Sequence, residues 1–296
     1  MIATTGFFDG VHLGHRLVIE RLVSLAHERG DESLVVTFWP HPRAVLQDGA
    51  RELRLLTTLE EKKSLLAGLG VSRVEVLDFT RSFAALTAEE YLRDVLRDRC
   101  GVTTLLVGYD NRLGSDRLTA NALAPMASAR GIELIELPPL SFRAQPQEES
   151  SNLEISSTKI RKYLEEGDIS SATAMLGYGY SLKGVVVAGN RLGRTIGFPT
   201  ANMKLYEPLK LVPGRGVYVV EVEVLGKKYR GMTNIGLRPT VGGSSTTIET
   251  HILDFDEDIY GLPLRITFLR RLRDEIHFPS LDALKAQLEL DRSACR

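Results

Sequence analysis

Cysteine is nearly missing from this chain: there are two in 296 residues, Cys100 and Cys295. A disulfide framework is therefore not expected, and a reducing cytoplasm is the expected location. Long apolar runs are missing as well. No stretch reaches the roughly 18 residues of a membrane span, and Met1–Gly6 is too short and uncharged to read as a signal peptide. Charge of one sign is not in excess either, since the net charge is −1 and no block of like charges runs along the chain. That argues against a general nucleic-acid binder, which needs a basic footprint. There is no internal repeat and no low-complexity segment, so neither a solenoid nor a biased linker is indicated.

What is present fits two ordinary domains. Hydrophobic residues make up 43% of the chain, and domains of about 150 residues give a count near two. Residues 181–296 carry 17 Lys+Arg against 13 Asp+Glu, a net of +4, and residues 1–180 carry 20 against 25, a net of −5. The small positive excess suits phosphate ligands and is also within ordinary scatter.

Up to about residue 140, short apolar runs alternate with helical patterns. Strands are expected at Met1–Thr5, Leu34–Phe38, Val74–Phe79, Thr104–Gly108 and Glu133–Leu137. Between them, Leu13–Arg29 is expected to bury Leu17, Leu22 and Leu25 at helical spacing, and Thr87–Arg99 opens on Thr87 and Glu90, a capping box. This alternation predicts a parallel sheet with helices on both faces, whose ligands bind at the carboxyl ends of the strands. Ser156–Gly167 and Ile169–Leu176 read as two further helices.

At Gly177-Tyr178-Gly179-Tyr180 the composition turns to that of a loop, which puts the domains at 1–176 and 181–296. Beyond it the pattern is all β. Val217–Val224 alternates, with Val220, Val222 and Val224 on one face. Leu225-Gly226 turns the chain into Lys227–Met232, and Ile248–Phe255 and Leu264–Leu269 are further strands. A closing helix capped by Ser280 is expected to bury Leu281, Leu284 and Leu288. The sum is a small β-barrel with a C-terminal helix.

Two stretches carry chemistry. The first is Gly6-Phe7-Phe8-Asp9-Gly10-Val11-His12-Leu13-Gly14-His15, between a strand and a helix. Its glycines admit a ligand to the backbone, the helix start favours anions, and His12 and His15 share a helical face. Two imidazoles there can stabilise charge growing at phosphorus. From spacing alone, a strand-to-helix corner with two structural histidines fits as well. The second runs from Gly189 to Asn202. Its glycines and arginines can wrap phosphates, and Thr200 and Asn202 offer neutral oxygens to a hard cation such as Mg²⁺. A structural loop with a buried threonine fits the same composition.

A resemblance separates these readings. "GFFDGVHLGH" is similar to the HxGH signature of nucleotidyltransferases, and "TFWPHPR", "VGYDNRLG" and "ISSTKIR" follow in the order found in prokaryotic FAD synthetases. "GRTIGFPTAN", "GVYVVEV", "GMTNIGLRPT", "ETHILDFDEDIYG" and the tail "RDEIHFPSLDALKAQLELD" resemble riboflavin kinases. The domain order is that of the bacterial bifunctional riboflavin kinase/FAD synthetase family, and most of the chain is covered.

The resemblance implies ATP-dependent phosphorylation of riboflavin to FMN and adenylylation of FMN to FAD, with Mg²⁺ as cofactor. It implies that His12, His15 and Arg161 serve adenylyl transfer and that Glu249 is the base of the kinase. Gly6, Phe7, Asp9, Gly10, Gly14, Ser156, Ser157, Thr158 and Lys159 would hold one ATP. Gly193, Arg194, Gly197, Pro199, Thr200 and Asn202 would hold the other, with Thr200 and Asn202 as metal ligands. Phe38, Pro40 and Asp110 would face the flavin of the first site, and Arg273, Glu275 and Phe278 that of the second. His251 receives no role.

The chain departs from the family at Asn111 and Leu113, where Phe is common, and in carrying only Met1–Thr5 ahead of the first motif. The expectation there is that an opening element is lacking or that the start is placed late. Small-molecule substrates are the expected partners, without nucleic acid or membrane, and oligomers are compatible with the sequence. Competing readings are a nucleotidyltransferase for another phosphorylated alcohol, a non-catalytic flavin or nucleotide sensor, and a nucleic-acid module. The complete set of His12, His15, Thr200, Asn202 and Glu249 argues against a degenerate binder, and the aromatic-poor strands argue against nucleic acid.

Overall fold

The computed structural model describes residues 1–46, 53–108, 111–138, 155–189, 192–240 and 243–295. It divides into two compact units, Met1–Ser157 and Thr158–Arg296.

In the first unit, β1 (Ile2–Thr5) leads through α1 (Leu13–Arg29) to β2 (Ser33–Trp39) and α2 (Pro42–Leu46). There follow α3 (Leu59–Gly68), β3 (Arg73–Asp78), α4 (Arg81–Ala84), α5 (Ala88–Glu90) with its π-wound continuation Tyr91–Arg99, β4 (Thr104–Gly108), α6 (Ala120–Ala129) and β5 (Glu133–Leu137). The sheet order is β3-β2-β1-β4-β5 and every pairing is parallel. Successive strand residues feed opposite cores, as the pleat requires. Ala3, Leu34, Val36, Leu105 and Val107 pack on one side, and Ile2, Val35 and Leu106 on the other. Both faces are therefore covered, as the continuous apolar strands predict. β1 stands where the winding of the sheet changes direction, so the connection leaving it opens into the crevice that such sheets use for ligands.

Helix α1 has the predicted limits, with Leu22 and Leu25 buried beside Ile19 and Ala26. Leu17 is only half-buried. It lies five residues from Leu22, about 140° around a helix of 3.6 residues per turn, at the edge of the apolar stripe. The predicted capping box is present: Glu90 Oε2 accepts from the Thr87 amide at 2.8 Å, and Thr87 Oγ1 accepts from the Glu90 amide at 3.3 Å. A second box, Thr58 with Glu61, opens α3.

The second unit starts with α7 (Ser157–Glu166), whose first residue closes unit one, and α8 (Ile169–Leu176). It continues with β6 (Ser181–Val187), α9 (Leu192–Thr195), β7 (Ala201–Leu205), β8 (Gly216–Val224), β9 (Lys227–Thr240), β10 (Gly243–Ile252), β11 (Pro263–Arg273) and α10 (Leu281–Ala294). The strands close a barrel in the order β10-β7-β6-β11-β8-β9. The Gly214 amide bonds the Leu164 carbonyl at 2.8 Å and α8 packs on β11. The contact boundary at 157/158 consequently falls ahead of the Gly177–Tyr180 turn.

β8 shows how the barrel is dressed. Tyr218, Val220, Val222 and Val224 are buried on one face. On the other, Val217 and Val219 are buried in a cluster with Met232, Phe198 and Leu288 of α10, whereas Glu221 and Glu223 lie further out. The apolar run Val217–Val220 thus marks where the outer face is also covered. Three expectations are corrected. β9 runs well past Met232, and β10 ends at Ile252, where Leu253-Asp254 turn and Asp254 adopts φ 56°. In α10, Leu284 and Leu288 are half-buried but Leu281, next to the cap, is 54% exposed.

Two candidate active sites

The connection from β1 to α1 is tightly specified. Phe8 (φ 52°), Gly10 (φ 82°) and Val11 (φ 38°) all sit at positive φ, which for a branched residue such as Val11 is strained. Several bonds hold it. The Asp9 carboxylate is buried and accepts from the amides of Leu56 and Thr57 at 3.0 Å each and from Thr57 Oγ1 at 3.2 Å. The Gly10 amide donates to Thr57 Oγ1 at 3.0 Å, and Ser157 Oγ donates to the Asp9 carbonyl at 2.9 Å. The last bond brings the ISST stretch to the first motif.

His12 caps α1: its Nδ1 accepts from the His15 amide at 3.3 Å. A neutral His12 ring that accepts at Nδ1 carries its proton on Nε2. The His15 ring stacks on it with centroids 3.6 Å apart. His15 Nδ1 is buried without a hydrogen-bond partner among the described residues. Burial, then the neighbouring His12 and Lys62, hold its pKa well below the usual histidine value, so the ring is neutral at pH 7. Gly14 lies under this pair, where a Cβ would come within 3.3 Å of the His12 ring.

Lys62, which the sequence analysis passed over, is fully buried beside this loop. Its Nζ donates to Thr37 Oγ1 at 3.3 Å and lies 3.7 Å from the centre of the Phe7 ring. Burial lowers its pKa to about 8, opposed by the attraction of Asp9. Only its place in an Glu-Glu-Lys-Lys helix start was visible in the sequence, which reads as a solvated face.

Phe38, the penultimate residue of β2, lies in an aromatic group with Phe79, Phe83 and Tyr91, at centroid distances of 5.8, 5.7 and 6.4 Å. Pro40 follows a cis Trp39–Pro40 bond. Tyr91 Oη and Thr5 Oγ1 are bonded at 2.7 Å, and Asn111 Nδ2 donates to the Thr5 carbonyl at 3.4 Å. Leu113 is buried in the core. Asp110 lies outside the described residues. Thr158, Lys159 and Arg161 are on α7, in the second unit, the first two exposed and Arg161 half-buried.

In the barrel, strand register builds the site. Glu249 of β10 is directly opposite Asn202 of β7 on one side and Asn234 of β9 on the other. Directly paired residues project to the same face of a sheet, so Asn202, Glu249 and Asn234 form one row across three strands. Asn234 was not singled out in the sequence, because its place depends on this register. The same face carries His251 and Met232, the next pair along. His251 Nδ1 is bonded to the Pro199 carbonyl at 2.8 Å, which makes Nδ1 the donor and ties β10 to the loop ahead of β7. Burial lowers the His251 pKa, so the ring is neutral.

Three cavities meet around that loop. One of about 360 Å³ is lined by Glu249, Asn234, Arg273, Glu275 and Phe278, with apolar walls from Phe198, Leu284 and Leu288. A second, of about 340 Å³, has Val186, Ile252, Phe255 and Ile259 as walls and Arg194, Pro199 and Thr200 at its rim. A third, of about 30 Å³, holds Gly189, Arg194, Thr200 and Asn202. Thr200 lines all three. At Gly189 a Cβ would fall 2.2 Å from Asn202 Nδ2, so a side chain there would displace the Asn202 amide. Arg273 is fixed by Asp291 of α10, with Nη2 2.7 Å from Oδ2. Gly197 (φ 85°) turns the loop, and its Cβ position is open.

The comparisons agree with this division. A family model described as FAD synthetase matches residues 1–158, and one described as riboflavin kinase matches residues 176–296. Relatives named bifunctional riboflavin kinase/FMN adenylyltransferase include those of Listeria monocytogenes (36% identical), Escherichia coli (37%) and Bacillus subtilis (34%). They match over 100, 100 and 98% of this chain and 91, 91 and 90% of their own lengths. A crystal structure described as a macrolide-efflux protein from Streptococcus pneumoniae superposes with a TM-score of 0.90 at 33% identity, over 100% of this chain and 93% of that one. Among the described residues of this chain, no helix is long and apolar enough to cross a membrane.

Proposed function

Since the chain belongs to the bifunctional riboflavin kinase/FMN adenylyltransferase family, we propose that its two reactions are divided between the two sets of residues described above. The protein phosphorylates riboflavin to FMN and adenylylates FMN to FAD, using ATP in both steps. The observation that carries the assignment of residues is the row Asn202–Glu249–Asn234, beside a loop whose Thr200 borders each cavity.

For the kinase, riboflavin occupies the 360 Å³ cavity, with Arg273, Glu275 and Phe278 against it. The nucleotide lies in the 340 Å³ cavity, its phosphates directed to Arg194, Pro199 and Thr200, with Gly193 and Gly197 of the same loop assigned by the resemblance. Glu249 takes the proton of the riboflavin 5′-hydroxyl as its oxygen attacks the γ-phosphorus, and ADP leaves. The donors fit Mg²⁺: Thr200 and Asn202 present neutral oxygens in one small polar cavity. No cluster of three His, Cys, Asp or Glu able to hold a metal occurs among the described residues. Mg²⁺ commonly binds through few protein groups, with water and phosphate completing its shell. When bound, it screens the charge of the transferring phosphate.

For adenylyl transfer, an FMN phosphate oxygen attacks the α-phosphorus of ATP and pyrophosphate leaves, with no covalent enzyme intermediate. His12 donates from Nε2, as its capping bond dictates, and neutral His15 takes on charge as the phosphates arrive. Gly6, Phe7, Gly10 and Gly14 offer backbone at close range. Asp9 acts through the brace it makes with Leu56 and Thr57. The resemblance gives the triphosphate to Ser156, Ser157, Thr158, Lys159 and Arg161, and the flavin to Phe38, Pro40 and Asp110. Catalysis here is positioning plus charge stabilisation. We take the enzyme to act in the cytoplasm on small molecules alone.

The test is direct. Purified protein is incubated with riboflavin, ATP and Mg²⁺, and FMN and FAD are resolved by chromatography. FMN should appear first and FAD follow; failure to convert added FMN into FAD would remove the second activity from this reading.

A further inference from the structure

Glu249 has one ionic partner among the described residues, Arg238. The guanidinium Nη2 donates to Glu249 Oε1 at 3.1 Å. Arg238 is on β9, where Asn234 is the residue opposite Glu249 and Ser245 the one opposite Arg238. Residues 234, 236 and 238 point to the same face of β9. The middle one is Gly236, so no side chain stands on the strand between Asn234 and Arg238. A Cβ at Gly236 would lie 2.5 Å from Glu275 Oε1 and 3.2 Å from Asn234 Nδ2. A side chain at 236 would therefore collide with Glu275 and Asn234, and the bare backbone leaves room for those groups next to the Arg238–Glu249 pair.

We propose that Arg238 is the positioning residue of the kinase: it fixes the Glu249 carboxylate by one oxygen and leaves the other turned to the substrate hydroxyl. Arg238 lines none of the three cavities, whereas Glu249 lines the largest of them. It acts on the reaction only through Glu249. The pair is accessible to water, with side chains 38 and 29% exposed, so its use is orientation and not a large contribution to folding. A carboxylate attached to a strand by a flexible two-carbon stem samples several rotamers, and a base that has left its place by about 1 Å can cost on the order of 100-fold in rate.

The proposal rests on Glu249 being the base, and a double-mutant cycle separates the two claims. Arg238→Gln, Glu249→Gln and the double variant are assayed for riboflavin phosphorylation, with FMN adenylylation by the same preparations as the folding control. Arg238→Gln should lower kcat by roughly 10- to 100-fold and leave KM for riboflavin and for ATP within about twofold. Arg238→Lys, which keeps a cation on a shorter reach, should recover part of the loss. In the Glu249→Gln background, Arg238→Gln should cost nothing further. A second, multiplying loss in that background, or a rise in KM with kcat unchanged, would overturn the positioning role while leaving Glu249 as base. A Glu249→Gln enzyme that phosphorylates at the wild-type rate would overturn the base reading itself, and the inference with it. Should Arg238→Gln lose adenylylation too, the comparison is made with Arg238→Lys, for which a rise in KM for riboflavin with kcat unchanged overturns the positioning role.

Discussion

In the amino-terminal unit the groups assigned to the reaction hang on a connection, whereas in the barrel the assigned groups stand on strands. His12 and His15 owe their places to a loop in which three of four residues, Phe8, Gly10 and Val11, sit at positive φ, and to buried bonds between Asp9 and the Leu56–Thr57 segment that keep it so. Asn202, Glu249 and Asn234 owe theirs to the ladders of β7, β10 and β9. A loop can close around a ligand but must be braced from behind. A strand row has its backbone fixed by the ladders, although its side chains still need anchors such as Arg238, and it needs separate loops and a helix to cover it. The contrast predicts that substitutions in the barrel act on chemistry alone, while those behind the loop couple chemistry to stability.

The largest effect should come from the barrel. Glu249→Gln keeps the shape of the side chain and removes the base, so phosphorylation should fall by roughly 10²- to 10⁴-fold. Adenylylation of supplied FMN should persist. Rates of FMN and FAD formation, measured separately, decide it; an unchanged phosphorylation rate would mean that the row is structural.

The converse change is His12→Ala with His15→Ala. Loss of charge stabilisation at the phosphates should lower adenylylation by about 10²-fold or more, so that riboflavin accumulates as FMN. Chromatography of the products again gives the answer, and parallel loss of both activities would point to a collapsed fold instead of an emptied site.

How far these residues could be read beforehand follows the same divide. The limits of α1, α8, β4 and β5, the Thr87 and Ser280 caps, and the Leu225-Gly226 turn were all legible, since each depends on residues close in sequence. β7 was not, because its residues are the end of a motif read for its chemistry. Asn234, Arg238 and the tie from His251 to Pro199 were not either. They acquire meaning only when β9 and β10 are in register and the loop ahead of β7 reaches them. Lys62 was hidden differently: its neighbours Glu60, Glu61 and Lys63 make the segment look like a solvated helix face, and nothing local says that one of four charges turns inward.

Lys62 supplies the third prediction. Its folded pKa of about 8 lies below the ordinary lysine value of 10.5. Below pH 8 both states hold the proton and the folded state carries the whole desolvation cost, about 3 kcal/mol for a shift of this size. Between 8 and 10.5 the unfolded chain binds more protons, so stability rises with pH, and above 10.5 the cost is gone. Lys62→Met should therefore stabilise the amino-terminal unit most at neutral pH, with an advantage that shrinks as pH rises through that window, while adenylylation falls. Urea unfolding of the whole protein, followed by the fluorescence of Trp39, the single tryptophan and part of β2, reads this out. A difference that does not vary with pH would show that the ammonium is not the cause.

The smallest effect concerns the metal. Asn202→Ala removes one neutral oxygen from a cation held largely by ATP and water, so the Mg²⁺ needed for half-maximal phosphorylation should rise by about tenfold. The requirement of adenylylation should stay where it is. Titrations of both activities at saturating ATP make the comparison, and equal shifts would assign Asn202 to the fold.

Thr200 borders both large cavities, and the loop from Gly193 to Thr200 is a wall common to them. On the proposed assignment of nucleotide to one cavity and flavin to the other, a shared wall would link the two affinities thermodynamically. A ligand that orders this loop from one side lowers the entropy that a ligand on the other side must remove, so each binds better in the presence of the other. The factor has to be the same in both directions: whatever bound nucleotide does to the dissociation constant of flavin, bound flavin does to that of nucleotide.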